Sequence, residues 1–413
     1  MSAHAHPRAI GGKLFDRPLQ VLLAMFGVAA LIMAYRFVFG VGAVSNMTDG
    51  FTWGIWEPVN VVVFTGIGAG AFGVGLLCYL LNKGEYHWLV RPAVLVGAIC
   101  YTLGGSSIVI ALGRYWNAVM LPVVPWWNLS SVLLEVAVCV MAYIFVLWIE
   151  VLPSVFDGAA QAKSPRWSAF GRRWGAWLAK KMPYVIALAI LLPTMHQSSL
   201  GGLMLLAVTK VHPLWHTALL PLLFLISCLS MGYGAVVVLV SVLKLGWNAH
   251  HDQRLFAAMS KVNAGLLVSY LVIRLGDVAI AGKLRYLGAN WPTLFFAIEI
   301  ALFAIPAVMF FLPSVTANRG RLFGAALLSL WAGAVYRVDT YMTVYRPAGW
   351  DANGEPVPAG WNYFPSLGET FITLGMASIG IFVFILISKL FPVVVVEDVR
   401  THTAVGAKSA AAS

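Results

Sequence analysis

The sequence predicts an all-α integral membrane protein of about ten transmembrane helices in two bundles, with both termini cytoplasmic. Three observations carry that prediction. The 413-residue chain is 60% hydrophobic and only 10% charged, with a mean hydropathy of +0.84, too apolar for a soluble globular domain. Its apolar runs are about 20 residues long, enough to cross ~30 Å of hydrocarbon as helices, with none of the short alternating segments of a β-barrel. Its basic residues fall unevenly between alternate loops.

After a cytoplasmic tail (1–18), the first apolar run, Leu19 to Phe39, is too long for a signal-peptide core and lacks a small-residue cleavage site, so it reads as a retained anchor. Spans at roughly 19–39, 58–81, 91–112 and 130–152 make a first bundle (19–152). A basic cytoplasmic loop (153–183) separates it from spans 184–207, 218–243, 262–281, 292–312, 322–344 and 366–391, and a second cytoplasmic tail (392–413) ends the chain. No internal repeat relates the two parts.

The formal charge of +11 is a topology signal and not a nucleic-acid signal. With the termini inside, nineteen of the 27 basic residues lie on the inner side, including Lys163, Arg166, Arg172, Arg173, Lys180 and Lys181 of the long loop. Arg114, Lys210, Lys283, Arg285 and Arg346 are outside, and Arg36, Arg274 and Arg337 fall within spans. This asymmetry fixes the orientation by the positive-inside rule. The outer loops 46–58, 113–128 and 345–365 are rich in Trp, Pro and Gly, suited to an interfacial aromatic belt or to docking of an external partner.

Ionisable groups in spans are functional candidates, because lipid burial is costly unless they pair or face a cavity. Arg36, Glu135, Arg274, Asp277, Glu299, Arg337, Asp339 and Glu369 all fall toward the outer side, leaving the inner half nearly charge-free. Arg274 and Asp277, at i and i+3, are placed to neutralise each other, and Arg337 is expected to find a partner in Asp339 or on a neighbouring helix. Glu135, Glu299 and Glu369 lack a local basic partner, which leaves a proton-handling role or a hidden interhelical partner.

The stretch ILLPTMHQSSLGG (190–202) sets polar groups in the middle of span five. Pro193 frees a backbone carbonyl, and Gln197, Ser198 and Ser199 can satisfy freed groups locally. His196 is different, because an imidazole needs a partner on each nitrogen and can pass a proton near neutral pH. No second histidine lies at matching depth, so a bis-histidine haem is not expected. His212 and His216, across a Pro in an outer loop, read as loop structure, and no metal site is expected. Cys78, Cys100, Cys139 and Cys228 stand singly in apolar runs, without the spacing of an iron-sulfur or covalent haem site.

Tyr101, Arg114, Glu135 and His196 converge toward the outer half of a bundle with no redox centre of its own. That suits a lipid-soluble substrate that takes protons. A quinone fits, since its carbonyl oxygens need donors such as Tyr, His or Arg, and its reduction takes up two protons that carboxylates can relay. The electrons then come from an outside partner.

GFTWGIWEP, LVRPA, YTLGGSSI, GRYWN, NLSSVLLEVAVCVMAYI, LLPTMHQSSLGGLM, KVHPLWHT and YFPSLGE together resemble the NrfD-like membrane subunits, most closely the HybB type. The resemblance runs from Gly11 to about Pro392. It implies the quinone-reactive subunit of a periplasm-facing respiratory nickel-iron hydrogenase, in the bacterial inner membrane. The implied partners are a ferredoxin-like iron-sulfur protein and the hydrogenase large and small subunits, with menaquinone or ubiquinone as substrate. Tyr101 and Glu135 match the positions that the family associates with quinone and proton handling, and the His of PTMHQSS is His196. Arg114 and Trp116 are then expected to join Tyr101 and His196 in binding the quinone, lying under the docked iron-sulfur subunit. IVIAL, before GRYWN, lacks the acidic residue typical of that type. The alternatives are an equivalent subunit of a molybdopterin or multihaem oxidoreductase, a secondary transporter using Asp277, Glu299 and Glu369, and a purely structural anchor.

Overall fold

The computed structural model describes residues 7–345, 347–358 and 363–397. Arg346, Arg400, Lys408, His4, His6 and His402 lie outside the described residues, as does the chain beyond 397. Ten helices are long and apolar enough to span a membrane. The first is α1 (Arg17–Phe39), started by Asp16, whose carboxylate accepts the Leu19 N–H. Span two, Glu57–Leu80, has an α-helical middle, α2 (Phe64–Gly75), between π-helical segments Glu57–Val63 and Leu76–Leu80. Next come α3 (His87–Ala111), α4 (Val132–Ala160), the non-spanning α5 (Pro165–Ala179) and α6 (Met182–Leu205). The last group is α7 (Leu220–Trp247), α8 (Gln253–Ile280), α9 (Trp291–Phe311), the one-turn α10 (Pro313–Thr316), α11 (Arg319–Val338) with a π-helical end at Asp339–Thr343, and α12 (Leu367–Leu390).

Packing makes two four-helix units. In the first, α2 packs on α3, α3 on α4, and α4 on α6; in the second, α7, α8, α9 and α11 follow one another and α11 closes on α7. The units meet where α2 and α6 pack on α7. That approach is close: a Cβ on Gly232 would lie 2.7 Å from the Ala69 carbonyl carbon, so only glycine lets the α2 and α7 backbones touch here. Outside both units α1 lies along α12. The boundary expected at 153–183 therefore does not divide the packing, because α6, beyond that loop, completes the first unit. The reason is energetic: α6 carries the polar groups that α3 and α4 satisfy.

The 153–183 segment is not a loop throughout. The α4 helix continues to Ala160, and α5 crosses it at Gly171, where a Cβ would lie 2.4 Å from the Ala160 nitrogen. Trp167, Phe170, Trp174 and Trp177 form a ladder of ring contacts along α5 and remain exposed.

Loops and chain ends identify two ends of the molecule. At the basic end, Arg8 bridges to Val394 and Ala249 to Val396, so the first and last described residues lie together. At the aromatic end, the loops interlock. Phe51 stacks on Tyr363 at 4.2 Å, and the hairpin of β1 (Gly349–Trp350) and β2 (Pro356–Val357) brings Trp350 to 4.4 Å from His212. The Lys210 ammonium donates to the carbonyls of Gly50 and Pro347, pinning two loops together. The aromatic loops thus divide: Trp56, Trp215 and Trp350 are buried in this cap, while Trp116 and Trp126 remain exposed.

Candidate functional site

The helices α2, α3, α4, α6, α7 and α11 bring a polar cluster into the middle of the bundle. The Tyr101 hydroxyl and His196 Nε2 are 2.7 Å apart, and both residues are fully buried. His196 Nδ1 is 2.8 Å from the Leu192 carbonyl, which can only accept, so in the neutral imidazole Nδ1 carries the proton and Nε2 accepts from Tyr101. Gln197 donates its amide to the Tyr101 hydroxyl at 3.1 Å and to the Thr65 hydroxyl at 3.3 Å. Its carbonyl is held by Arg337, whose Nη2 also donates to the Phe224 carbonyl, each at 3.1 Å. Tyr143 packs edge-on against Tyr101, ring centres 4.6 Å apart, and lies 5.7 Å from His196. Gly68 makes room for it all: a Cβ there would sit 2.9 Å from the Tyr101 ring. His196 is nine residues from the end of α6 at Leu205, so about 14 Å deep at 1.5 Å per residue.

This is a chain of amphoteric groups, Tyr–His–Gln, with a fixed guanidinium behind it. A hydroxyl donating to an imidazole can pass a proton along that bond and recover it from the other side, which is the chemistry of a relay.

The sequence candidates are not all together. Tyr101 and His196 touch. Glu135 lies one helical turn along α6 from them, accepting from Ser199 at 2.6 Å, on the exposed seam between α4 and α6. Arg114 and Trp116 lie exposed in the loop after α3, away from the cluster. Gln197 and Arg337 were missed as site residues. The serines do serve the backbone, with Ser198 bonding the Thr194 carbonyl and Ser199 that of Met195, but Gln197 reaches across helices instead.

Other charges find partners that spacing did not indicate. Arg274 pairs with Glu299 at 2.9 Å, not with Asp277, which takes Lys283 at 2.6 Å and Thr217 at 2.8 Å. Arg337 turns to Gln197, away from Asp339, since residues two apart point to opposite sides of a helix. Glu369 accepts from the backbone N–H groups of Asn46 and Ile55 and from the Tyr363 hydroxyl, and it completes the capping box of α12. The basic half is not charge-free: Glu150 lies in α4 on that side of Tyr143, and Lys389 of α12 pairs with Asp16 at 2.6 Å.

Histidine geometry bears on haem. Both His196 nitrogens are already bonded within the protein, and His212 is occupied by the Leu214 N–H and the Gly354 carbonyl. Among the described residues no two histidines face each other across the membrane interior, so these residues do not fit a bis-histidine haem.

Fold and site define a ten-span helical protein with a buried hydrogen-bonded cluster of Tyr101, His196, Gln197 and Arg337, and no cluster of metal-ligating side chains among the described residues. The family model described as polysulphide reductase, NrfD, matches residues 43–343, and the chain belongs to the NrfD family of integral membrane proteins. It is 34% identical over 391 residues to the probable Ni/Fe-hydrogenase 2 b-type cytochrome subunit of Escherichia coli, covering 94% of this chain and 95% of that one. It is 29% identical over 261 residues to the integral membrane subunit of a menaquinone reductase from Nitratidesulfovibrio vulgaris, covering 60% and 58%. The expected localisation, a multi-pass protein of the bacterial inner membrane, agrees with the family and the Escherichia coli relative. The chain is thus a relative of membrane subunits of oxidoreductase complexes.

Proposed function

We propose that this chain is the membrane anchor and quinone-reactive subunit of a respiratory nickel-iron hydrogenase complex. In this reading the aromatic end is periplasmic, with an iron-sulfur subunit docked over Arg114 and Trp116, and both termini are cytoplasmic. The observation that carries it is the buried Tyr101–His196 pair, one layer behind an α4–α6 seam that exposes Glu135 and Ser199. Kinship to a hydrogenase subunit and to a menaquinone reductase subunit supports the partner and the substrate class.

In this mechanism a quinone head enters the seam from lipid as α4 and α6 part. Tyr101 turns its hydroxyl from His196 Nε2 to a carbonyl oxygen, His196 takes up a proton at Nε2 and then donates to the head group, and Arg337, acting through Gln197, holds both in place. Two electrons arrive from the external iron-sulfur protein. Two protons convert quinone to quinol, one route passing through Glu135. The menaquinone reductase relative favours a second reading, in which the same site serves a different oxidoreductase.

The test is purification of the chain with its partners, followed by hydrogen-dependent reduction of 2,3-dimethyl-1,4-naphthoquinone. Co-purifying nickel-hydrogenase subunits and turnover support the first reading; a molybdopterin or multihaem partner moves it to the second. A Glu135→Gln complex that assembles and keeps full quinone turnover removes Glu135 from the mechanism.

A further inference from the structure

The first four-helix unit contains a second carboxylate, on the opposite side of the cluster from Glu135. Glu150 stands on the same face of α4 as Tyr143, seven residues on, and so about 10 Å nearer the basic end. It has no hydrogen bond or ion pair among the described residues. An unpaired carboxylate at this depth is costly, and a residue needed only for packing there would be apolar.

The surroundings of Glu150 give it a direction. A narrow groove between the α2 span, α3, α4 and α6 has Tyr79 and Glu150 on its walls and reaches Tyr143, with Ala71, Gly75 and Ala189 keeping it open. Its cavity is about 10 Å³, close to the room one water needs, and a water also needs two to four polar partners. Tyr79, Tyr143 and Glu150 are the lining residues that carry polar groups on their side chains. Tyr79, at the basic end, is 37% exposed, whereas Tyr143 is fully buried. The Tyr143 hydroxyl has no hydrogen-bond partner among the described residues, and its ring lies against both Tyr101 and His196. Polar groups therefore run from the basic surface to the cluster in the order Tyr79, Glu150, Tyr143, Tyr101–His196, inside an otherwise apolar unit.

We infer that Glu150 is a proton-relay carboxylate that feeds the quinone site from the basic end. Resting on the quinone reading above, this assigns each end of α4 its own carboxylate: Glu135 at the seam and Glu150 in the groove. Glu150 takes a proton from water at the basic surface and releases it through the groove to the Tyr143 hydroxyl. Tyr143 passes its own proton on toward His196 and is reprotonated from Glu150. No electron moves in these steps; the electron pair comes from the external iron-sulfur protein, and the proton ends on a quinone oxygen. Protons drawn from the basic side, for electrons delivered at the aromatic side, make quinone reduction charge-separating.

The experiment uses the whole complex in vesicles with pyranine at the basic side of the membrane, hydrogen as donor and 2,3-dimethyl-1,4-naphthoquinone as acceptor. For Glu150→Gln, quinone turnover is expected to fall at least about tenfold with KM unchanged, the order of a lost proton-transfer group. Hydrogen-dependent benzyl viologen reduction, which bypasses the membrane site, should stay at the wild-type rate. The pyranine signal should fall with turnover, and Glu150→Asp should recover part of both. Full turnover and an unchanged pyranine signal in Glu150→Gln overturn the assignment while leaving the quinone site standing. If the wild-type complex reduces viologen but not the naphthoquinone, the quinone reading fails and takes the Glu150 role with it. Should Glu150→Gln not assemble, Tyr143→Phe, which removes an unbonded hydroxyl, tests the same route: slowed quinone turnover supports it, and full turnover overturns it.

Discussion

The two four-helix units solve the same problem, polar groups inside a membrane bundle, in opposite ways. The second unit holds a full ion pair. Glu299 accepts from Arg274 at 2.9 Å, from Trp215 at 2.7 Å and from Tyr270 at 2.8 Å, and every group in the set is buried. Its carboxylate has three donors and nothing to release a proton to. The first unit holds groups that both donate and accept, and two of its carboxylates, Glu135 and Glu150, flank them at the seam and in the groove, while Glu57 is buried at the start of span two. A carboxylate fully supplied with donors fixes structure, whereas a chain of groups that both donate and accept can conduct protons.

The largest expected effect breaks the saturated side. Glu299→Ala strands the Arg274 guanidinium in the second unit, and removing one member of a buried pair typically costs about 3–5 kcal/mol. Loss of assembly, or a steep drop in unfolding temperature in detergent, is expected; a stable but inactive variant would put the second unit on the functional side. Next is Tyr101→Phe, which removes the shared hydroxyl of His196 and Gln197. It should fold, yet slow quinone turnover about a hundredfold, within the usual range for a general acid–base group. A variant that unfolds but turns over normally while folded would make the first unit structural too.

A third test separates the units physically. Gly232→Ala puts a methyl group against the α2 backbone at the contact between them, an overpacking expected to cost about 1–3 kcal/mol. Stability should fall in both units at once if they are one cooperative body, and in one only if they are independent. The smallest effect belongs to the cap at the aromatic end. Burial holds the His212 imidazole neutral, its pKa pushed down from 6.5 to about 4. The unfolded chain therefore takes up the proton first, so this contribution is complete above pH 6.5, declines between 6.5 and 4, and is flat below. Acidifying from pH 7.5 to 5.5 should cost about 1 kcal/mol through this group, seen as a fall in unfolding temperature that His212→Gln abolishes.

Reading these differences from sequence succeeded where the signal is local. Spans are legible because a 20-residue apolar run has one outcome in a membrane, and the family match and ten helices agree with that reading. His196 was legible because a lone imidazole in such a run needs two partners. Pairing across helices was not. Arg274 and Asp277 satisfy a local rule, but the pair formed is Arg274 with Glu299, 25 residues away, and only packing decides that. Gln197 was hidden by an adequate local explanation, repair of the Pro193 break. Glu150 escaped because it stands near the expected end of its span, where a carboxylate passes for an interfacial one; α4 in fact continues to Ala160. The α5 helix escaped because its aromatic and basic residues alternate too closely to stand out from a charged loop.

The pairing of α1 with α12 bears on how the chain is made. The α1 helix leaves the ribosome well before its partner α12, where the Ala29 side chain meets the space left by Gly375. Until some 340 residues more have been synthesised, α1 is held in the bundle only at its C-terminal end, where Arg36 donates to the Leu112 carbonyl and Phe37 meets the Tyr115 ring, and the rest of its length faces lipid or the insertion machinery. Its small buried share, 11% of its most apolar window, lets it wait there at little cost. A chain cut short before Leu367 would carry both four-helix units and an unclasped first helix, which gives a quality-control system a simple mark of an unfinished molecule.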